Sequence, residues 1–281
     1  MEEVTGLAAG VPYLVVPPFG TPSPDTPVVL AWHLLDAPRS ETAFAAALPM
    51  RGLDAWRVYL GLPLSGRRGL SMNEVMNRSR MDVVANLYEP IAFGAVAEFP
   101  GAFGALRSEF GIGDGPLGLL GGSLGAAVAQ LVLLEHEVNA SAVVLVNPLI
   151  RLTDAIVAGG RAFGFDYAWT DAARATAARM DFVRRSAEYD AVGQPPVHIV
   201  VGKDDDDFRA SAQDLYHALA HRYDDSTRCA ITQIDGMGHA LAEEPGIEPA
   251  PQTPHAAQVD EFVVAWFGDH LNSSDHPIRK D

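Results

Sequence analysis

Apolar residues along this chain fall into short unbroken runs, separated by longer stretches where apolar and polar positions mix at helical spacing. Residues 28–32 read Val-Val-Leu-Ala-Trp, residues 117–120 Leu-Gly-Leu-Leu, residues 142–146 Ala-Val-Val-Leu-Val and residues 197–201 Val-His-Ile-Val-Val. Runs without an alternating polar position are the pattern of strands covered on both faces, as in a parallel sheet. Residues 55–61 and 229–234 read as two more strands. Residues 10–17 read as an edge strand closed by prolines.

The stretches between these runs predict helices. Ser40 is a plausible N-cap for a helix over residues 41–48. Residues 82–109 predict a long helix or a pair of helices, with Pro90 and Pro100 marking breaks. Residues 126–135 are rich in helix formers. Residues 149–193 are helical in pattern, Ala- and Arg-rich, and broken at Gly159-Gly160. That is more chain than one crossover helix needs, so the reading is a crossover plus a small lid. Helices are also expected over 207–221 and 253–271, the latter with Val259, Phe262, Val263 and Trp266 on one face. Residues 62–72 read as an irregular loop, and the polar residues 272–281 as a frayed tail. Strands alternating with helices imply an α/β class: a doubly wound, mostly parallel sheet of about eight strands. Residues 1–281 then form a single domain that contains the 149–193 segment.

Composition narrows the function classes. A formal net charge of -16 argues against nucleic acid and anionic membrane surfaces as partners. It favours a soluble protein and disfavours strongly anionic substrates; the partner expected for this chain is a small-molecule acyl substrate. Cys229 is the one cysteine, so an intrachain disulfide and Cys-based metal sites are excluded. The chain begins Met1-Glu2-Glu3 with no basic segment ahead of a long apolar run, and it has no apolar stretch of bilayer length. The expectation is a cytoplasmic protein. Oligomeric state is not legible here.

In parallel sheets the chemistry lies at the carboxyl ends of the strands. There the run 117–120 passes into Gly121-Gly122-Ser123-Leu124-Gly125 and then into a helix. This is G-x-S-x-G in a strand–turn–helix context. A sharp turn of this kind lifts a serine hydroxyl off the sheet. Gly121 and Gly125 omit the side chains that would clash where strand and helix cross. The helix N-terminus supplies free N–H groups and a positive dipole end, suited to a developing oxyanion. A serine hydroxyl needs a base to become a nucleophile. Of nine histidines, His239 is the best candidate, because the Gly-rich loop 235–240 follows the last strand. The imidazole in turn needs an orienting carboxylate. Asp204, Asp205, Asp206 and Asp207 follow a buried strand and are the candidates; Asp206 or Asp207 could instead cap the next helix.

With these residues the chain resembles the α/β-hydrolases over nearly its whole length. Gly121 to Gly125 resembles the family's nucleophile motif, Gly202-Lys203-Asp204-Asp205 its G-x-x-D acid motif, and Gly238-His239 its closing G-H. The resemblance implies a serine hydrolase with Ser123 as nucleophile, His239 as base and Asp205 as acid, and no cofactor or metal. It implies an oxyanion hole of two N–H groups, one from Leu124. The other comes from the loop after the strand at 28–32, where His33 matches a family histidine. Leu34 stands where glycine is usual, which leaves Leu35 as donor and Leu34 as the alternative. The expected reaction is cleavage of a carboxylic ester, or a thioester or small amide. The alternatives are a ligand-binding protein that kept the scaffold, and an acyltransferase or peptidase using the same residues.

Other features carry less. Gly111 to Gly115 resembles a dinucleotide fingerprint but precedes a strand instead of opening a helix. The run Asp204–Asp207 lacks the alternating ligands of a calcium loop. Arg67 and Arg68 could meet a substrate carboxylate, or stay as solvated loop arginines. Phe163, Phe165, Tyr167 and Trp169 could line an acyl pocket, or simply pack the lid.

Overall fold

The computed structural model describes residues 2–136 and 138–271; the tail read at 272–281 lies outside the described residues. Eight strands form one sheet: β1 (Val4–Ala8), β2 (Val11–Val16), β3 (Val28–Trp32), β4 (Trp56–Leu60), β5 (Leu117–Gly122), β6 (Ala142–Val146), β7 (Val197–Gly202) and β8 (Cys229–Ile234). Their order is β1-β2-β4-β3-β5-β6-β7-β8. β1 pairs antiparallel with β2 and β2 antiparallel with β4; every other pairing is parallel. The unbroken apolar runs at β3, β5 and β6 are buried at every position, because helices cover both faces of the sheet.

The expectation that residues 10–17 form an edge strand is corrected. β2 lies inside the sheet, and β1 takes the edge. The edge strand is short and mostly exposed, so it left little apolar pattern to read.

One core layer lies between the sheet and α3 (Glu89–Phe110), α4 (Leu124–Glu135) and α8 (Arg209–Arg222). The other lies beneath α1 (Glu41–Ala47) and α9 (Pro254–Leu271). α4 is buried on all sides from Leu124 to Leu134, as its all-round apolar sequence requires. The Ser40 hydroxyl accepts the Ala43 N–H and caps α1 as read. On α9, Val259 and Val263 are buried with Ala256, Phe267 and Leu271. Phe262 and Trp266 pack at the margin of that layer.

The helical stretch before β5 starts earlier and breaks elsewhere than expected. α2 (Met72–Val83) opens on a capping box in which Ser71 and Glu74 exchange side-chain and backbone hydrogen bonds. The break falls at Asp82, whose carboxylate accepts the Val84 and Ala85 N–H groups. A π-helical turn, Val84–Tyr88, then leads into α3. Pro90 sits in the first turn of α3, directly after that π-helical turn, and does not break the helix. Pro100 lies inside α3 without ending it. The Val96 carbonyl that Pro100 leaves without its helical donor takes a hydrogen bond from His136 Nε2 at 3.0 Å. Segment 149–193 contains α5 (Leu152–Phe163), α6 (Asp171–Arg179) and the short α7 (Glu188–Ala191). Among the described residues no helix is long and apolar enough to cross a membrane.

Burial of two histidines makes stability depend on pH. His198 of β7 shares a 2.9 Å hydrogen bond with Thr232 and packs against Phe262 and Trp266. Burial lowers its pKa from 6.5 to about 4. His33 is fully buried, and burial likewise lowers it to about 4. The unfolded chain therefore binds protons at these positions that the native state refuses. Stability is full above 6.5 and is lost as pH falls toward 4. Asp260 runs the other way: burial raises its carboxyl to about 6, so protonation below 6 returns stability. At ~1.36 kcal/mol per pKa unit, these three groups together lose about 2 kcal/mol from pH 7 to pH 5. Urea unfolding at the two pH values should show it. In His198→Asn the loss should shrink by about 2 kcal/mol, and an unchanged loss would remove His198 from the account.

Candidate active site

Five strands deliver the candidate residues to one edge. β3 ends at Trp32 before His33, β5 at Gly122 before Ser123, and β6 at Val146 before Asn147. β7 ends at Gly202 before Asp205, and β8 at Ile234 before His239. All are carboxyl ends of parallel strands, the end where the sequence reading looked for chemistry.

Ser123 has φ 49° and ψ −117°, a backbone conformation that side-chain-bearing residues avoid at a cost of about 1–3 kcal/mol. Hydrogen bonds hold it there. Its N–H donates to the Val146 carbonyl at 3.0 Å, and its own carbonyl accepts from Ala126 and Leu149. A Cβ on Gly121 would run into Gly125 and Ala126, and one on Gly125 into the carbonyls of Trp32 and His33. The turn therefore closes as its glycines imply.

His239 meets both expected partners. Its Nε2 lies 2.8 Å from Ser123 Oγ, and its Nδ1 lies 2.8 Å from Asp205 Oδ2. With a neutral imidazole, Nδ1–H donates to the carboxylate and Nε2 accepts the serine O–H. Ser123 and Asp205 are nearly buried, at 5% and 3% exposure. Burial opposes the charged imidazole. The Asp205 hydrogen bond and charge, followed by the charges of Asp36 and Asp207, outweigh it and hold the His239 pKa above 6.5. Phe208 lies against the ring, centroid to centroid 4.6 Å.

The four aspartates separate cleanly. Asp205 points at His239. Asp204 is exposed, and its backbone N–H bonds the Met237 carbonyl. Asp206 reaches Arg209, and Asp207 pairs with Arg161. The helix after them, α8, begins at Arg209 with Phe208 at its N-cap position and no side-chain cap bond, so neither Asp206 nor Asp207 caps it. Gly202 permits the acid turn to press on the histidine loop, since a Cβ there would overlap the Met237 carbonyl.

Asn147 was not singled out from sequence, yet it ties these loops together. It is fully buried, with φ 41°. Its Nδ2 donates to the carbonyls of Gly238 at 2.9 Å and His239 at 2.8 Å, and its Oδ1 accepts the Gly202 N–H at 2.8 Å. One side chain thus fixes the acid turn and the histidine loop to the end of β6. The only signal in the sequence is its place after a buried strand and before Pro148.

The loop after β3 reads more clearly than its departure from the glycine pattern suggested. Leu34 is fully buried against Gly122 and Phe44, so its bulk fills core and does not narrow the site. His33 Nε2 accepts the Leu62 N–H, which leaves Nδ1–H to donate to the Leu34 carbonyl at 2.6 Å. A trans peptide aims its N–H opposite its carbonyl, so this bond turns the Leu35 N–H away from the His33 ring. Among the described residues, no protein acceptor is recorded for the N–H of Leu35 or of Leu124. Asp36 follows, with Oδ2 3.6 Å from His239 Nε2.

Arg67 pairs with the buried Glu41, and Arg68 with Glu98, so both are spoken for within the chain. Phe163 is exposed, Tyr167 and Trp169 pack edge to face at 4.9 Å, and the Tyr167 hydroxyl donates to Asp82. No group of three or more metal-ligating side chains occurs among the described residues.

No family model and no curated protein matches this chain. Solved structures do. TT1662 from Thermus thermophilus superposes with a TM-score of 0.67 at 20% identity, covering 97% of this chain and 100% of its own. Est1E from Butyrivibrio proteoclasticus gives 0.59 at 13% identity, with 97% and 100% covered. A dienelactone hydrolase from Anabaena variabilis gives 0.55 at 16% identity, with 96% and 100% covered. At these identities the likeness is one of fold, and it extends over the whole domain.

Proposed function

We propose that this chain, which has the α/β-hydrolase fold, is a serine hydrolase that cleaves a carboxylic ester, with thioesters and small amides within its chemistry. The observation that carries the reading is the unbroken relay Ser123–His239–Asp205, both links 2.8 Å long; the Leu35 and Leu124 N–H groups meet no acceptor among the described residues.

In this reading Ser123 Oγ attacks the acyl carbonyl while His239 Nε2 takes its proton. Asp205 holds the Nδ1–H tautomer and stabilises the imidazolium that forms. The Leu124 and Leu35 N–H groups bind the oxyanion as the carbonyl becomes tetrahedral; removal of one such donor typically costs about a hundred- to a thousand-fold in turnover. His239 returns the proton to the leaving group. Water, deprotonated by the same imidazole, then releases the acid from Ser123. The strained backbone at Ser123 supports this assignment, since residues held in such conformations cluster at reactive sites. Soluble cytoplasmic residence and a small-molecule acyl substrate belong to the same proposal.

A fluorophosphonate tests it on the intact protein. One adduct on Ser123, formed in step with loss of turnover of a short p-nitrophenyl ester, is the expected result. Absence of labelling, or an adduct on another residue with hydrolysis retained, would overturn the assignment.

A further inference from the structure

Asp36 is a second carboxylate at the imidazole, on the side opposite Asp205. Its Oδ2 lies 3.6 Å from His239 Nε2, and its side chain is 57% exposed. That distance is too long for a hydrogen bond, and Nε2 of the neutral ring already faces Ser123 Oγ at 2.8 Å. The arginines near this edge are engaged elsewhere: Arg39 with Glu244, Arg67 with Glu41, Arg68 with Glu98 and Arg161 with Asp207. Among the described residues no lysine or arginine is recorded against Asp36. Asp205 and Asp207 add to the negative potential felt at the same ring.

We propose that Asp36 forms a cation subsite at the leaving-group end of the site, selecting esters and thioesters whose leaving group carries an ammonium a few bonds from the scissile atom. The inference rests on the proposed roles of Ser123 and His239. Nε2 must hand its proton to the leaving atom, so that atom sits within hydrogen-bond reach of Nε2. A carboxylate 3.6 Å from Nε2 then borders the first few atoms of the leaving group. An ammonium placed there meets an unpaired charge, and a carboxylate there meets repulsion. Tyr88, in the π-helical turn before α3, lies within the field of Asp36: burial first, then the Asp36 charge, pushes its phenol up to about 12.

The test compares two isosteric acetyl thioesters, one with a 2-(trimethylammonio)ethyl leaving group and one with its neutral 3,3-dimethylbutyl analogue. Wild type is expected to favour the cationic thioester by about tenfold in kcat/KM at low ionic strength, with the preference shrinking as salt screens it. Asp36→Asn should bring the ratio close to one, and Asp36→Glu should keep most of it. A wild-type ratio near one, or a full ratio in Asp36→Asn, overturns the subsite. So does an Asp36→Asn variant whose acid limb moves to lower pH while the ratio stays put, because Asp36 would then act on the imidazole alone. If neither thioester is hydrolysed and Ser123 resists labelling, the hydrolase reading has failed, and direct binding decides the subsite. Phenyltrimethylammonium, titrated calorimetrically, should bind wild type at least fivefold more tightly than Asp36→Asn; equal binding overturns the proposal.

Discussion

Replacing Ser123 by Ala is expected to lower kcat for a short p-nitrophenyl ester by about a million-fold, to a residue of activity still above water. The proposed mechanism routes every bond change through Oγ, and among the described residues Ser123 is the one hydroxyl bonded to His239 Nε2. The residual rate belongs to the Leu124 and Leu35 N–H groups, which polarise a bound carbonyl for attack by water. Because the three side chains act as one unit, Ser123→Ala combined with His239→Ala should cost no more than Ser123→Ala alone. The substitution removes one oxygen at a position held by backbone hydrogen bonds to Val146 and from Ala126 and Leu149, so the circular dichroism spectrum should match wild type. A variant that retains even a tenth of wild-type turnover places the chemistry elsewhere.

Why so much of this was legible follows from the kind of signal each element leaves. β3, β5 and β6 are buried on both faces, so burial wrote unbroken apolar runs into the sequence. The turn at Ser123 is legible because its glycines answer to backbone contacts that admit no Cβ. β1 was missed because an exposed edge strand needs no such run. Pro100 looked like a break because the compensating donor, His136, lies 36 residues away in sequence and belongs to another helix's end. The capping box at Ser71 and Glu74 was a local signal that could have been read.

The site divides along the same line. Ser123, Asp205 and His239 follow from motif and order, since each lies just past a recognisable strand. Asn147 does not. Its three hydrogen bonds reach loops more than fifty residues on, and nothing local requires an asparagine after β6 except its left-handed φ. Leu34 departs from the glycine expected there; the fold turns its side chain into the core and leaves its peptide group facing His33. Asp36 carries no pattern at all. Only the approach of the β3 loop to the β8 loop brings it to His239.

Asp205→Asn is expected to lower kcat by about ten-thousand-fold at neutral pH, with KM little changed. An amide of the same shape keeps the packing but cannot enforce the tautomer. Its Nδ2 would donate toward Nδ1, which moves the ring proton to Nε2, the atom that must accept the serine proton. The variant also loses the carboxylate that does most to hold the His239 pKa above 6.5. The acid limb of any remaining kcat/KM profile should therefore fall, since the neutral ring would persist to lower pH. The same change at Asp204, Asp206 or Asp207 should leave kcat within about threefold, because those side chains meet solvent, Arg209 and Arg161 in place of the imidazole; exposed pairs of this kind are worth ~1 kcal/mol or less. Asp207 should show the larger of the three effects, as its charge still reaches His239. If Asp204→Asn or Asp206→Asn proves as damaging as Asp205→Asn, the acid turn adopts another arrangement during turnover, and the carboxylate that orients His239 is not the one bonded to it at rest.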